Sequence, residues 1–343
     1  MTTALVYDPV YLEHDTDRHP ENAGRLVSTM EALKESGLLD LVKMISPEAA
    51  AVDDIATVHS PVYVEQVRRV AESGGAFLDA DTYVSPGSYE AAIFAAGGTF
   101  AAMESVLTGE VDNAFALVRP PGHHALASRG MGFCIFNNIA IATRVAQRRH
   151  AIDRVLIVDF DVHHGNGTQA AFWRDGSVLY FSVHQSPFYP GTGGLNDIGE
   201  GDGRGYTANV PLPGGVGDPG YRRVFEEVLD PLARRFQPQV IAVSAGYDLH
   251  WADPIGGMRV TTTGFAWMVR HLMALADELC ERRLVLTLEG GYNLQALADS
   301  VVATVQVMMG REFEDKLGPA RSLWPEPDIE SILDRAKAIH DIE

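Results

Sequence analysis

The sequence predicts an α/β domain built around a largely parallel sheet, and three observations predict it. Four short apolar, β-rich runs recur along the chain: AFALV at 114–118, RVLIV at 154–158, QVIAV at 239–243 and LVLTL at 284–288. Helical patterns fill the chain between them, as expected of parallel strands joined by crossovers. Each run also breaks at once into polar or glycine-rich sequence: RPPGHH, DFDVHHGNG, SAGYD and EGGY. Ligand sites in such sheets form beyond the carboxyl ends of strands, so these four followers are expected to meet at one rim.

The other elements follow in order. Residues 4–7 are a short apolar run suited to a first strand. A helical pattern carried by Leu26, Met30 and Leu33 follows His19-Pro20-Glu21 and ends near Gly37. Ser60-Pro61 starts a second helix, because serine caps and proline suits the first turn; it fades before Gly74-Gly75. An alanine-rich helix is expected from Tyr89 to Leu107. The apolar faces of these helices are read as core packing. Residues 185–220 are rich in glycine and proline with little periodicity, and are expected to be an irregular segment that shapes a site. Beyond Gly310 the chain is charged and proline-containing, with a short helix near 329–340 packed at the periphery. No repeat or linker divides the 343 residues, so one domain over 1–343 is expected.

Composition narrows the classes. No run approaches the roughly 18 apolar residues of a membrane span, and the first residues lack the basic region of an export signal, so a cytoplasmic protein is expected. Cys134 and Cys280 read as free, buried thiols. A formal charge of -19 disfavours non-specific nucleic-acid or anionic-membrane binding. Long loops leave a homo-oligomer open.

The chemistry concentrates in the four followers. Asp161 and His163 stand two apart at a strand end, where alternation points both side chains one way. Their oxygen and nitrogen suit a borderline divalent ion such as zinc, with Asp248 the best third ligand; iron or another divalent ion stays open. Such a set lacks the thiolates of a structural zinc site. His123 and His124 follow a stiff Pro-Pro-Gly approach, and a histidine near a metal-bound water can take its proton and later protonate a leaving amine. Asp159 and Asn166 are available to fix the tautomers of that pair. Tyr292 follows two glycines, and its phenol can donate to a developing oxyanion. Gly165-Asn166-Gly167 is no phosphate loop, and no nucleophile elbow surrounds Ser182, Ser186 or Ser244.

Taken together, RPPGHHA at 119–125, GFCIFNN at 132–138, DFDVHHGNGTQ at 159–169, FYPGTG at 188–193, SAGYD at 244–248 and LEGGYN at 288–293 closely resemble the zinc-dependent histone deacetylase family. The resemblance runs from about residue 4 to about 309, leaving 310–343 as a peripheral segment. It implies an arginase/deacetylase fold with an eight-stranded sheet. It also implies zinc on Asp161, His163 and Asp248, His124 as base and then acid, and His123 as its electrostatic partner, oriented by Asp159. Tyr292 would polarise the acyl carbonyl. Gly132, Phe133 and Tyr189 would line a narrow acyl-lysine slot, with Arg25 near a cavity behind the metal. The family's potassium sites map to Asp159, Asp161, His163, Ser182 and Val183 (inner) and to Phe172, Asp175, Val178 and Tyr206 (outer). Asn166 stands where class I members have an aspartate, so the chain resembles class II and bacterial class II-like members, among them the histone deacetylase-like amidohydrolases. Ile255 occupies the place of a glutamate that selects polyamines in one eukaryotic member. The implied activity is hydrolysis of an N-acetyl amide, acetyllysine or a similar linear acylated amine. An acetylpolyamine or other small amide is the alternative, and a non-catalytic acyl-lysine binder the third reading. His164 has no assigned part and reads as structural.

Overall fold

The computed structural model describes residues 1–320 and 324–343. Ten strands occur among them: β1 (Thr3–Val6), β2 (Lys43–Ile45), β3 (Ala76–Phe77), β4 (Tyr83–Val84), β5 (Asn113–Ala116), β6 (Val155–Asp159), β7 (Val178–Gln185), β8 (Thr207–Leu212), β9 (Val240–Ala245) and β10 (Leu284–Leu288). β3 and β4 form a small antiparallel ladder. The other eight make one sheet in the order β2-β1-β5-β10-β9-β6-β7-β8, parallel throughout. The parallel α/β expectation is therefore met, including the eight strands implied by resemblance.

The four strands that carry motifs, β5, β10, β9 and β6, are adjacent at the centre of the sheet. Asp159 pairs with Ser244 of β9 on one side and Ser182 of β7 on the other, so the strand ends are level. These strands are buried along their whole length, which is why their sequences run apolar instead of alternating. Truncating one such side chain, as in Leu286→Ala, is expected to cost about 2–5 kcal/mol.

Eleven α-helical segments are found among the described residues: α1 (Gly24–Glu35), α2 (Val52–Ile55), α3 (Pro61–Glu72), α4 (Ser88–Leu107), α5 (Asn138–Arg149), α6 (Asn166–Phe172), α7 (Asp218–Val224), α8 (Asp230–Phe236), α9 (Thr262–Leu279), α10 (Leu294–Met308) and α11 (Glu330–Ile339). The Ser60 hydroxyl accepts the Tyr63 N–H to cap α3. Asn137, Thr261 and Asn293 do the same for α5, α9 and α10. Gly37 follows α1 at φ +69°, the left-handed conformation that ends the helix. α4 packs on β1, β5 and β10, and α9 on β9 and β10. Both cysteines are free and buried, and no described helix is long and apolar enough to cross a membrane.

One expectation needs correction. Residues 185–220 are not irregular throughout, because they contain β8 and the start of α7. β8 is an edge strand with a single neighbour and carries Pro211, so its sequence lacks the apolar run of a central strand. β7 is a further buried strand that lacks the sequence mark of the others, since it ends in His184-Gln185 and not in a glycine-rich break. The three exposed or half-buried residues of β2 carry no pattern at all.

Candidate active site

The loop after β6 turns its side chains onto the ends of β9 and β10. His163 Nδ1 lies 2.9 Å from Asp161 Oδ1 and 3.3 Å from Asp248 Oδ2. One donor atom from each of Asp161, His163 and Asp248 falls within 4.8 Å of the others, and all three residues are buried. The spare lone pairs are informative. Asp161 Oδ2 accepts Gly290 N–H and Asp248 Oδ1 accepts Val162 N–H, but Asp248 Oδ2 is buried without a hydrogen-bond partner. A Cβ at Gly290 would stand 2.1 Å from that oxygen, and one at Gly246 2.2 Å from Asp161 Oδ2, so only glycines let the two carboxylates converge. Two carboxylates and one imidazole, with one carboxylate oxygen buried without a hydrogen bond, fit a small divalent cation of zinc's type.

The histidine pair comes from the loop after β5. His123 Nδ1 lies 3.0 Å from Asp159 Oδ2, which also accepts the Tyr180 hydroxyl at 3.0 Å. Burial works against charge on His123, but Asp159 and Asp161 outweigh it and push its pKa up to about 10. His124 moves the other way. Burial, then the positive charge on His123 and His163, holds its pKa well below the usual histidine value. Its Nδ1–H donates to Asn166 Oδ1 at 2.8 Å, which leaves Nε2 as a lone-pair base. The rings of His124 and His163 are 5.7 Å apart.

Tyr292 enters from the loop after β10. The Arg25 guanidinium lies 5.1 Å over its ring, and Phe133 packs edge-on at 5.7 Å. Arg25 donates to Gly291 O and Glu289 O and pairs with Glu21. Glu21 also takes Arg119, and although burial raises its pKa, Arg119, His14 and Arg25 hold the carboxyl far below the usual range. Desolvation, reinforced by Asp248, keeps the Tyr292 phenol protonated and so a donor.

Aromatic side chains and a glycine pack around His124 and Tyr292. Gly132 sits at φ +55°, and a Cβ there would meet His124 Cδ2 at 2.4 Å and Tyr189 Cε1 at 3.0 Å. Tyr189 presents its edge to His124 at 5.2 Å and is 39% exposed, while Phe133 stacks edge-on with His19. Ile255 is half-buried in the loop after β9. Of the residues singled out for potassium, Asp159 ends β6, Asp161 and His163 follow it, and Ser182 and Val183 lie within β7, Ser182 paired with Asp159. Phe172, Asp175, Val178 and Tyr206 lie between α6 and β8, where Arg144 pairs with Asp175 and covers the Phe172 ring at 4.5 Å.

Three residues here were not foreseen. Glu289 Oε2 accepts the N–H groups of Gly122 (2.7 Å) and His123 (3.2 Å), and its Oε1 accepts Ser244 Oγ–H at 3.0 Å. Its carboxyl is pushed up to about 7 by burial, opposed by His123. With His123 and Cys134 it forms a second close group, but its oxygens and His123 Nδ1 are already engaged, so it is no metal site. Asp253 holds four backbone amides, those of Tyr292, Asn293, Ile255 and Gly256. Phe188 stacks on His163 at 5.1 Å and 20°.

Histidines, carboxylates and a tyrosine gathered at the strand ends of a parallel sheet are the arrangement expected of a hydrolytic α/β enzyme. The histone deacetylase domain family matches residues 19–308, and the chain belongs to that family; it is a hydrolytic deacetylase. It is 41% identical to a probable deacetylase of Archaeoglobus fulgidus over 100% of this chain and 96% of that protein. It is 40% identical to the histone deacetylase-like amidohydrolase of Pseudomonas aeruginosa over 85% of this chain and 76% of that one. Among solved structures, the HDA15 HD domain matches with a TM-score of 0.89 and 36% identity, covering 99% of this chain and 94% of that one.

Proposed function

We propose that this deacetylase hydrolyses the N-acetyl amide of acetyllysine or a similar linear acylated amine, with zinc held by Asp161, His163 and Asp248. The observation that carries the reading is Asp248 Oδ2, buried without a hydrogen bond and 3.3 Å from His163 Nδ1, beside a histidine whose Nδ1 is taken by Asn166. Zinc bound there supplies Lewis acidity and lowers the pKa of water. His124 Nε2 takes the proton as the water oxygen attacks the acyl carbon. It returns that proton to the amine nitrogen as the C–N bond breaks, giving acetate and free amine. His123, held as a cation by Asp159, biases the His124 proton toward the leaving nitrogen, and Asn166 fixes the ring. Tyr292 donates its O–H to the charge that develops on the carbonyl oxygen.

Gly132, Phe133, Tyr189 and Ile255 would admit a thin aliphatic chain and exclude bulk. Oxygen-rich positions would hold potassium: Asp159, Asp161, His163, Ser182 and Val183 at the inner site, and Phe172, Asp175, Val178 and Tyr206 at the outer. A cytoplasmic enzyme of one domain over 1–343, its core at 4–309, fits this reading.

The deciding experiment compares kcat/KM on acetyllysine peptides, free acetyllysine, acetylpolyamines and longer acyl chains. Preference for acetyllysine supports the proposal, and a dominant acetylpolyamine value overturns the substrate ranking. A metal-loaded protein that releases no acetate from the panel and binds no hydroxamate would instead be an acyl-lysine binder.

A further inference from the structure

We propose that His164 and His184 are positioning residues: together they clamp the 188–194 loop and thereby set the shape of the substrate slot without touching substrate. The inference rests on the reading of Tyr189 as a slot wall. His164 is adjacent to His163 in sequence, yet its ring faces the opposite partner set. Its Nδ1 lies 2.7 Å from Thr192 Oγ1 and its Nε2 3.0 Å from Gln169 Oε1. Asn209 Nδ2 also donates to Gln169 Oε1, at 2.8 Å, so that atom is the acceptor. His164 therefore carries its hydrogen on Nε2 and accepts the Thr192 hydroxyl on Nδ1.

His184, at the end of β7, completes the clamp. Its Nε2 lies 3.1 Å from the Gly193 carbonyl, which can only accept, so Nε2 bears the hydrogen. Its Nδ1 then accepts the Ser182 hydroxyl at 2.9 Å. All four ring nitrogens are thus committed, two of them to consecutive residues of one loop. The rings lie 4.9 Å apart and are buried. Gly193, at φ +82°, is pressed so close that a Cβ would stand 2.6 Å from each ring.

The held segment leads straight to the slot. Gly191 N–H closes a turn onto Phe188 O at 2.8 Å, so the exposed Tyr189 to Gly191 stretch hangs between two fixed points. One is Phe188 stacked on His163, and the other is the Thr192-Gly193 pair on the two histidines. Tyr189, edge-on to His124, is carried by the short stretch between these two anchors. A histidine that merely filled the core would have no reason to spend its polar atoms on the wall loop of the site.

Thr192 is exposed, so Thr192→Val deletes the hydroxyl without disturbing the core. The metal-loaded enzyme should keep its metal content and melting temperature, while KM for acetyllysine peptide rises roughly three- to tenfold, more than kcat falls. The ratio of longer-acyl to acetyl kcat/KM should rise as well, and Thr192→Ser should restore both. Amide hydrogen exchange across 188–194 should quicken while β7 is unchanged. Tyr189→Ala is the control: if it leaves the acyl-length ratio unchanged, the slot reading itself fails. If Tyr189→Ala shifts the ratio but Thr192→Val leaves KM, the ratio and loop exchange at wild-type values, the clamp is wrong.

Discussion

Asp253 Oδ2 accepts the backbone N–H of Tyr292 at 2.7 Å, while the other oxygen of the same carboxylate holds Ile255 N–H at 2.9 Å. One side chain thus ties the loop that carries the phenol to the loop after β9. Asp253→Ala leaves four amides without their acceptor and should lower unfolding free energy by roughly 3 kcal/mol or more. It should also cut kcat at least about tenfold by releasing Tyr292. Asp253→Asn, which keeps one acceptor oxygen, should fall between, as read by denaturant unfolding and steady-state kinetics.

Tyr292→Phe removes the phenolic donor and leaves the ring between Phe133 and Arg25. Turnover should drop about 10²- to 10³-fold with metal content unchanged. Wild-type turnover would remove Tyr292 from the oxyanion role.

Asp248→Ala deletes the carboxylate oxygen that faces His163 without a hydrogen bond. Loaded with zinc and analysed for metal, the variant should bind far less zinc than the wild type, and a chelator should inactivate the wild type reversibly. Full occupancy in the variant would exclude Asp248 as a ligand.

His59 offers a pH test away from the metal. Its Nδ1–H donates to Leu126 O at 2.9 Å and its Nε2 accepts Asn137 N–H at 2.8 Å, so the folded protein needs it neutral. Burial pushes its pKa down to about 4, against a pull upward from the Leu126 and Ala127 carbonyls. An unfolded histidine titrates near about 6.5, so as pH falls below that value the unfolded chain takes a proton that the fold refuses. Stability from this group is complete above about pH 7 and is lost as pH falls from about 6.5 toward 4. Between pH 7 and 5 the wild type should lose about 2 kcal/mol more than His59→Gln, measured by denaturant unfolding at each pH.

The parts of the site that were legible in sequence share one trait. His123, Asp161, Asp248 and Tyr292 each follow a buried strand, and the break from apolar run to polar residues marks the place where a chain leaves the sheet. Glu289 stood inside LEGGYN and Asp253 five residues beyond SAGYD, yet neither carries a sequence signal, because their partners are mostly backbone amides, which have no spacing in a sequence. Phe188 escaped because aromatic stacking across 25 residues needs the loop's path. In the sheet, the central strands could be read because they are buried on both faces and leave through polar or glycine-rich breaks; β2 and β8 are edges, β2 exposed to solvent and β8 interrupted by Pro211.

The adjacency of β5, β10, β9 and β6 also constrains the order in which the enzyme can come into being. During synthesis the residues of β6 emerge well before those of β9, and Tyr292 follows only after β10. A nascent chain therefore displays Asp161 and His163 long before their third companion exists, and has no strand on which to seat Tyr292 until the central gap between β5 and β9 is filled. On the proposed roles, the site is complete only once Tyr292 has followed β10 out of the sheet, so a chain terminated before that residue should release no acetate.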